Sequence, residues 1–204
     1  MQIESGIRKI LDNSFIYNFS QNIIGANRLR KIFVEQHLKV KNGMTVCDLG
    51  CGTAEILKFL PKEIEYFGCD ISEKYLEHAK SMNYNNAKFF TINESKVVFK
   101  KLEFDLFIGI GLFHHLDDNE VAELLEYSYS KLKKGGRFIS IDPCYIKNQF
   151  FISKYLIKND RGQNVRTLKE MKSLILSDFK KTKIIHKNNL LRIPYDHVIL
   201  ELIK

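Results

Sequence analysis

Between residues 45 and 141, short apolar runs alternate with longer segments of helical periodicity, and this alternation constrains the fold more than any other feature. The apolar runs at 45–49, 64–69, 87–92, 104–109 and 137–141 predict five strands. Helices are predicted over residues 53–60, 72–82 and 117–134. Strands separated by helices of this length form βαβ units with right-handed crossovers. The central part of the chain is therefore predicted to form a parallel sheet.

The two ends of the chain follow different patterns. Apolar residues at helical spacing over 7–38, divided by Gly25, predict two helices within residues 1–40. Residues 143–166 have no clear period and are interpreted as a lid insertion after the fifth strand. Thr167 and Glu170 then predict a capping box for a helix that ends near residue 178. Two tail strands, 181–187 and 196–203, are too close in sequence for a crossover helix and must be antiparallel neighbours. Residues 1–204 are thus predicted to be a single doubly wound α/β domain, with a mostly parallel seven-stranded sheet and an antiparallel last strand.

Length and composition narrow the class of protein. A chain of 204 residues is expected to form one domain, and 45% hydrophobic residues suffice for a core. No apolar run approaches the roughly 20 residues that cross a bilayer, so we expect a cytoplasmic protein without a membrane span. Cys47 and Cys51 lack a second pair and nearby histidines, so no metal site is predicted.

A glycine-bearing loop follows the first predicted strand. Glycines such as Gly50 and Gly52 let the backbone turn tightly and let a ligand approach the main chain. Asp70 ends the second strand, at the position where ribose hydroxyls are bound in nucleotide-binding folds. The third glycine of a dinucleotide motif is replaced by Glu55, whose carboxylate would repel a pyrophosphate. An NAD or FAD site is therefore disfavoured.

The stretch 48–52, Asp-Leu-Gly-Cys-Gly, resembles the first motif of the class I S-adenosylmethionine (SAM)-dependent methyltransferases. Stretches 104–118 and 132–138 resemble later motifs of the same family, and Ala54 replaces the usual third glycine. The resemblance implies SAM as the cofactor, with these contacts: Asp48, Gly50, Cys51, Gly52, Asp70, Ile71, Asn93, Glu94, Ile110 and Gly111. Asp48 would orient the loop under the methionine portion, and the backbone near Ile110 and Gly111 would contact the methionine amino group. Asp70 would bind the ribose, Ile71 would lie beside the adenine, and either Asn93 or Glu94 would meet the adenine amino group.

The acceptor side is less constrained by the sequence. Methyl transfer from a sulfonium is an in-line displacement, so positioning and desolvation can supply much of the catalysis, and a base is needed only when a proton must leave early. The candidate catalytic or acceptor-contacting residues are His115, Tyr145, Arg161, Tyr195 and His197. Tyr17, Gln21, Arg166 and Arg192 are further candidates for the acceptor side, whereas His114 is interpreted as structural. The pair Arg161 and Arg166 suits recognition of an anionic group.

Three functions follow from these observations. The first is methylation of an O or N atom of a small acceptor, an anionic molecule or a glycan or secondary-metabolite precursor. No Asn-Pro-Pro-Tyr or Asp-Pro-Pro-Tyr tetrapeptide follows the fourth strand, which makes a nucleic-acid acceptor less favoured. The second is an RNA or protein methyltransferase, because the chain from Lys131 onward holds 17 lysines and arginines against six acidic residues. The third is a non-catalytic SAM-binding partner protein; the oligomeric state is left open.

Overall fold

The computed structural model describes residues 24–204. Its first element is helix α1, Ala26–Phe33, which continues into a wider helical turn, Val34–Leu38. Gly25 precedes α1 in the left-handed conformation, with φ at 97°, so the second of the two predicted N-terminal helices begins directly after this glycine. The predicted first helix, with Tyr17 and Gln21, lies outside the described residues.

A single mixed sheet organises the described chain. Its strands are β1 (Thr45–Leu49), β2 (Glu65–Asp70), β3 (Ala87–Thr91), β4 (Phe104–Ile110), β5 (Leu132–Tyr145), β6 (Arg166–Thr167), β7 (Lys181–Lys187) and β8 (His197–Ile203). The main path of the sheet runs β3-β2-β1-β4-β5-β8-β7, and the two-residue β6 pairs with the end of β5. The strands β1 to β5 are parallel, whereas β8 is antiparallel to both β5 and β7. The predicted seven-stranded sheet with its antiparallel last strand is therefore confirmed, and β6 is an addition to it.

The helices follow α1 in the order α2 (Glu73–Ser81), α3 (Ile92–Val98), α4 (Asp118–Lys131), α5 (Phe151–Lys158) and α6 (Leu168–Ser173). Tight single turns lie at Glu55–Phe59, Phe99–Lys101 and Phe113–His115. Capping boxes begin α4 and α6, in which a side chain at the N-cap and the glutamate three residues later satisfy each other's backbone N–H. Among the described residues, no helix is long and apolar enough to cross a bilayer.

Alternate residues of the strands pack on opposite faces of the sheet. In β1, Val46 joins the cluster under α1 and α2, while Cys47 joins the aromatic cluster under α4. In β4, Leu106 likewise packs in the first cluster and Phe107 in the second. Burial on both faces explains why these strands read as continuous apolar runs in the sequence.

Two boundaries differ from the sequence-based prediction. The helix expected after Gly52 is only the turn Glu55–Phe59, which follows Ala54 in the left-handed conformation, with φ at 56°. Helix α4 ends at Lys131 rather than near Lys134, because Leu132 already pairs with Phe104 and the following glycines lie in a bulge of β5. A Cβ at Gly136 would lie 2.9 Å from a backbone carbonyl oxygen, so the bulge requires glycine there.

The regions without clear periodicity also hold regular structure. Helix α3 was not predicted, although Thr91 and Glu94 form a capping box at its start. The insertion 143–166 contains the end of β5, helix α5 and the first residue of β6. Helix α6 ends at Ser173, several residues before the expected position at 178.

Candidate active site

The glycine loop lies at the carboxyl end of β1, where a parallel sheet presents its ligand-binding edge. Gly50 and Gly52 adopt positive φ angles of 67° and 54°, a conformation that other L residues rarely adopt. Among residues 24–204, no atom beyond the neighbouring residues lies within 4 Å of the position that a Cβ on Gly52 would occupy. The backbone N–H of Gly52 donates to the Asp70 carboxylate at 2.8 Å, which fixes the loop against the end of β2. The loop therefore forms an open cradle with a fixed main chain.

Asp48, at the base of this cradle, is 2% exposed. The Tyr66 hydroxyl donates to one carboxylate oxygen at 2.5 Å, and the other, Oδ1, has no hydrogen-bond partner among the described residues. Burial raises the pKa of Asp48 to about 7, against the opposing effect of the Tyr66 hydrogen bond. A buried carboxylate with one unsatisfied oxygen at a cavity wall suits an ammonium group, such as the amino group of a methionine moiety.

The predicted ribose and adenine contacts lie beyond the other side of the loop. Asp70 accepts from the backbone N–H of Gly52 and of Ser72, both at 2.8 Å, and its carboxylate stays at the end of β2. Ile71 is 82% exposed, as an apolar platform for a ring would be. The Glu94 carboxylate accepts from both the backbone and the hydroxyl of Thr91 in the capping box. Because that carboxylate is engaged locally, the geometry favours Asn93 over Glu94 for an adenine contact.

One cavity of about 570 Å³ joins this loop to the lid and the tail. Ten predicted site residues line it: Asp48, Gly50, Cys51, Gly52, Ile110, Gly111, His115, Arg161, Tyr195 and His197. Five others lie outside its wall: Asp70, Ile71, Asn93, Glu94 and Tyr145. The cavity volume is in the range of small-molecule sites, about 300–1,000 Å³. Cofactor-loop residues and acceptor candidates thus share one cavity.

The wall opposite the glycine loop holds two uncharged imidazoles and a phenol. Burial, and then the charge of neighbouring His114, lower the pKa of His115 to about 4. Burial likewise lowers the pKa of His197 to about 4. The Tyr195 hydroxyl donates to Asp160 at 2.5 Å, and burial together with that carboxylate raises the tyrosine pKa well above its usual range. At neutral pH these three side chains are neutral hydrogen-bonding groups in the cavity lining.

Arg166 does not face the cavity, which corrects the expectation that it reads an anionic acceptor together with Arg161. Its guanidinium is buried and donates to the backbone oxygens of Phe113 and Leu116 at 2.7 and 2.8 Å. It also pairs with the Asp118 carboxylate at 2.7 Å. Arg166 therefore attaches the lid to the segment after β4, whereas Arg161 lines the cavity.

Three cavity residues were missed as site residues. Arg30 of α1 lines the cavity, and its positive charge acts on Asp48. Asp160 was noted in the sequence only as part of a polar stretch, and His114 was assigned a structural role. His114 lies between Asp142 and Asp160, with its Nδ1 3.2 Å and its Nε2 3.4 Å from their Oδ1 atoms. The two acidic residues beside His114 come from distant parts of the sequence, so the residues around the histidine in the chain did not indicate these contacts.

Comparison with known proteins decides the family. Residues 46–136 match the family described as "Methyltransferase domain". This segment is a methyltransferase domain. SAM is the cofactor of this family, and the open cradle and the unsatisfied oxygen of Asp48 fit its amino-acid end.

Curated proteins similar to this domain are named for different activities. A probable tRNA methyltransferase 9B from Bos taurus is 29% identical over 126 residues, which cover 61% of this chain and 26% of the relative. A carboxy-S-adenosyl-L-methionine synthase from Campylobacter jejuni is 31% identical over 122 residues, or 56% of this chain and 50% of the relative. The chain therefore spans between about a quarter and a half of the length of these two relatives.

Solved structures agree on the fold. A SAM-dependent methyltransferase from Archaeoglobus fulgidus superimposes with a TM-score of 0.70 at 20% identity, covering 93% of this chain and 100% of that one. Human N-acetylserotonin methyltransferase in complex with SAM gives 0.69 at 19% identity, covering 93% and 55%. At these identities the likeness concerns the architecture of the methyltransferase domain.

Proposed function

We propose that this protein transfers a methyl group from SAM to an O or N atom of a small, anionic acceptor. The observation that carries the proposal is the single cavity, with the glycine loop on one side and a wall of polar side chains from the lid and tail on the other. A shared cavity lets the chain hold two reactants in contact and away from water.

The cofactor side of the cavity has one negative and one positive side chain, which complement the ammonium and the carboxylate at the amino-acid end of SAM. Asp48 would pair with the methionine ammonium, and Arg30 lies on the same wall with a charge suited to the carboxylate. Gly52 leaves room for close approach, and Asp70 stands at the strand end for the ribose hydroxyls. When bound, SAM supplies a methyl group carried on an electron-poor sulfonium.

The acceptor side combines Arg161 and the His114–Asp160 pair with neutral groups. Arg161 lines the cavity beside Asn159 and suits a carboxylate or phosphate of the acceptor. His115 is uncharged at neutral pH and can accept the proton of an acceptor hydroxyl or amine as the methyl bond forms. Leu156, Ile193 and Pro143 provide apolar walls for the rest of a small molecule.

An RNA acceptor is the second candidate. It is favoured by the name of the tRNA methyltransferase relatives and by the excess of basic residues from Lys131 onward. A basic surface alone binds phosphates without selecting a methylated atom, whereas the cavity can hold one acceptor atom beside the cofactor.

The test is formation of S-adenosylhomocysteine (SAH) from SAM with three acceptor pools: small hydroxy and amino acids with their phosphate esters, total tRNA, and a protein lysate. We expect turnover with a member of the first pool. With that acceptor, His115→Gln should lower kcat by about 10²- to 10⁴-fold, and Arg161→Ala should raise KM by about 10- to 100-fold.

Matched variants control for general damage. His78→Gln changes a histidine of α2 outside the cavity wall, and Lys158→Ala removes an exposed cation at the end of α5, outside the cavity wall. Both should leave kcat and KM within about twofold, as surface changes usually do. Turnover with tRNA alone would replace the small acceptor by RNA, and SAH binding without turnover in any pool would favour the non-catalytic partner.

A further inference from the structure

His114 lies at the centre of a buried charged group that joins four segments of the chain. It follows β4, and its two ring nitrogens face Asp142 of β5 and Asp160 of the lid, at 3.2 and 3.4 Å. The second Asp160 oxygen accepts from the hydroxyl of Tyr195, just before β8. The cofactor side, the lid and the tail therefore meet at one imidazole.

The lid turn packs directly on this ring. A Cβ on Gly162 would lie 1.8 Å from Cδ2 of His114, so only glycine permits the approach. The backbone N–H of Asn164 donates to the His114 carbonyl at 2.9 Å, and the N–H of Gly162 donates to Asp160 at 3.2 Å. Arg161 lies between these contacts in the chain, so its position on the cavity wall depends on the turn.

The charges of the group are complementary. Burial alone would lower the pKa of His114, but its hydrogen bonds to Asp142 and Asp160 raise it to about 9. Burial would raise the pKa of Asp160, but the hydrogen bond and charge of His114 hold it well below its usual range. The centre of the His115 ring lies 4.1 Å from that of the His114 ring, and the His114 charge lowers the pKa of His115. The carboxylates of Asp160 and Asp142 raise that pKa, each by a smaller amount.

We propose that His114 is a positioning residue for methyl transfer: as an imidazolium it holds the turn 160–162, with Arg161, over the cavity, and its charge adds to the burial that keeps the adjacent His115 ring uncharged. The assignment of this wall to the acceptor rests on the proposed function. The arrangement itself is measurable without an acceptor. His114 contacts neither reacting atom in this role and acts through Asp160, Arg161 and His115.

The first measurement uses the wild-type protein bound to SAH. Ring nitrogen and carbon NMR shifts should show His114 doubly protonated and His115 singly protonated at pH 7.5. A neutral His114 at this pH would overturn the proposal without any variant.

Two variants then separate charge from packing. His114→Gln removes the charge and retains hydrogen-bonding groups, and Gly162→Ala retains the charge but displaces the turn. In His114→Gln we expect the His115 titration midpoint to rise by at least about one pH unit, because a neighbouring positive charge is gone. In both variants the Asn164 amide should exchange with solvent at least about tenfold faster, because its acceptor carbonyl is no longer held in place.

SAH affinity should stay within about threefold in both variants, because neither alters Asp48 or the glycine loop. His78→Gln is the control and should change neither the His115 midpoint nor the Asn164 exchange. If His114→Gln is folded and leaves both readouts unchanged, His114 is merely structural and the proposal is wrong. Failure of turnover with every acceptor would count against the proposed function instead, since none of these readouts requires an acceptor.

Discussion

At the scale of single residues, the cofactor side depends on backbone space and on one unsatisfied oxygen. Gly52 adopts a positive φ, and a Cβ there would meet no atom within 4 Å in the part of the chain that the structure describes. Asp48 is buried with one carboxylate oxygen unpartnered among the described residues. Both features cost stability in the unliganded chain and are compensated when a ligand fits the cradle.

Gly52→Ala should reduce SAH affinity at least about 100-fold, because the methyl group enters the space that the cofactor would use. The variant should still fold, with a cost of about 1–2 kcal/mol for a non-glycine residue in the left-handed region. Calorimetric titration with SAH and thermal unfolding measure the two effects. Gly43→Ala is the matched control, since Gly43 also has a positive φ and open space but lies in the exposed loop before β1. Normal SAH binding by a folded Gly52→Ala protein would contradict the placement of the cofactor.

SAH binding should release a proton from Asp48 below about pH 7. Burial raises the pKa of this carboxyl to about 7, so it is largely protonated at pH 6 before binding, and pairing with an ammonium favours the ionised form. At pH 6 the binding enthalpies in phosphate and in histidine buffer should therefore differ by nearly the difference between the ionisation enthalpies of the two buffers, as expected for the release of close to one proton. This difference should vanish above about pH 8. Asp48→Asn should abolish the buffer dependence. Its persistence in that variant would assign the proton to another group.

At the scale of elements, the lid is attached to the sheet by a buried arginine. Arg166 satisfies two backbone carbonyls and pairs with Asp118, which fixes the short strand β6 beside the end of β5. Asp196 provides a second attachment, because its carboxylate accepts from Ser153 of α5 at 2.6 Å and from Gln149 at 2.9 Å. The insertion is therefore fixed at both ends, and its central turn reaches the cavity.

Arg166→Ala should lower the free energy of unfolding by roughly 2–4 kcal/mol, because two buried carbonyls lose their donor and the Asp118 carboxylate loses its partner. Arg161→Ala should lower it by less than about 1 kcal/mol and act on acceptor binding instead. Urea unfolding curves of the two variants measure the difference. Equal destabilisation by both changes would mean that Arg161 is also a structural attachment.

At the scale of the whole molecule, the net charge of +8 gives a general attraction to polyanions. Such attraction falls steeply with salt, whereas binding in an enclosed cavity is screened much less. A basic surface and a small-molecule cavity therefore predict different responses to ionic strength.

Binding of total tRNA should be weak at 0.15 M salt, with Kd above about 1 µM, and should weaken steeply as salt is raised. Filter binding across a salt series measures both properties. SAH affinity over the same series is the internal control and should change far less. A salt-insensitive Kd well below this value would favour RNA as the acceptor.

Much of the fold was predictable from the sequence because burial on both faces of a parallel sheet leaves continuous apolar runs. The antiparallel β8 and the capping boxes of α4 and α6 follow from local patterns, whereas the strand order was given only by the structure. Local pattern failed at Gly135 and Gly136, which suit a helix end in sequence but lie in a bulge because β5 pairs with both β4 and β8.

The sequence by itself determined the sheet, the glycine loop after β1 and the acid at the end of β2, because each depends on residues close together in the chain. Only the tertiary structure decided which arginine reaches the cavity, since Arg161 and Arg166 are five positions apart and only Arg166 meets the carbonyls after β4. The same holds for His114, whose charge depends on Asp142 and Asp160. A histidine's protonation is set by burial and by the charges around it, and those partners come together only when the chain has folded.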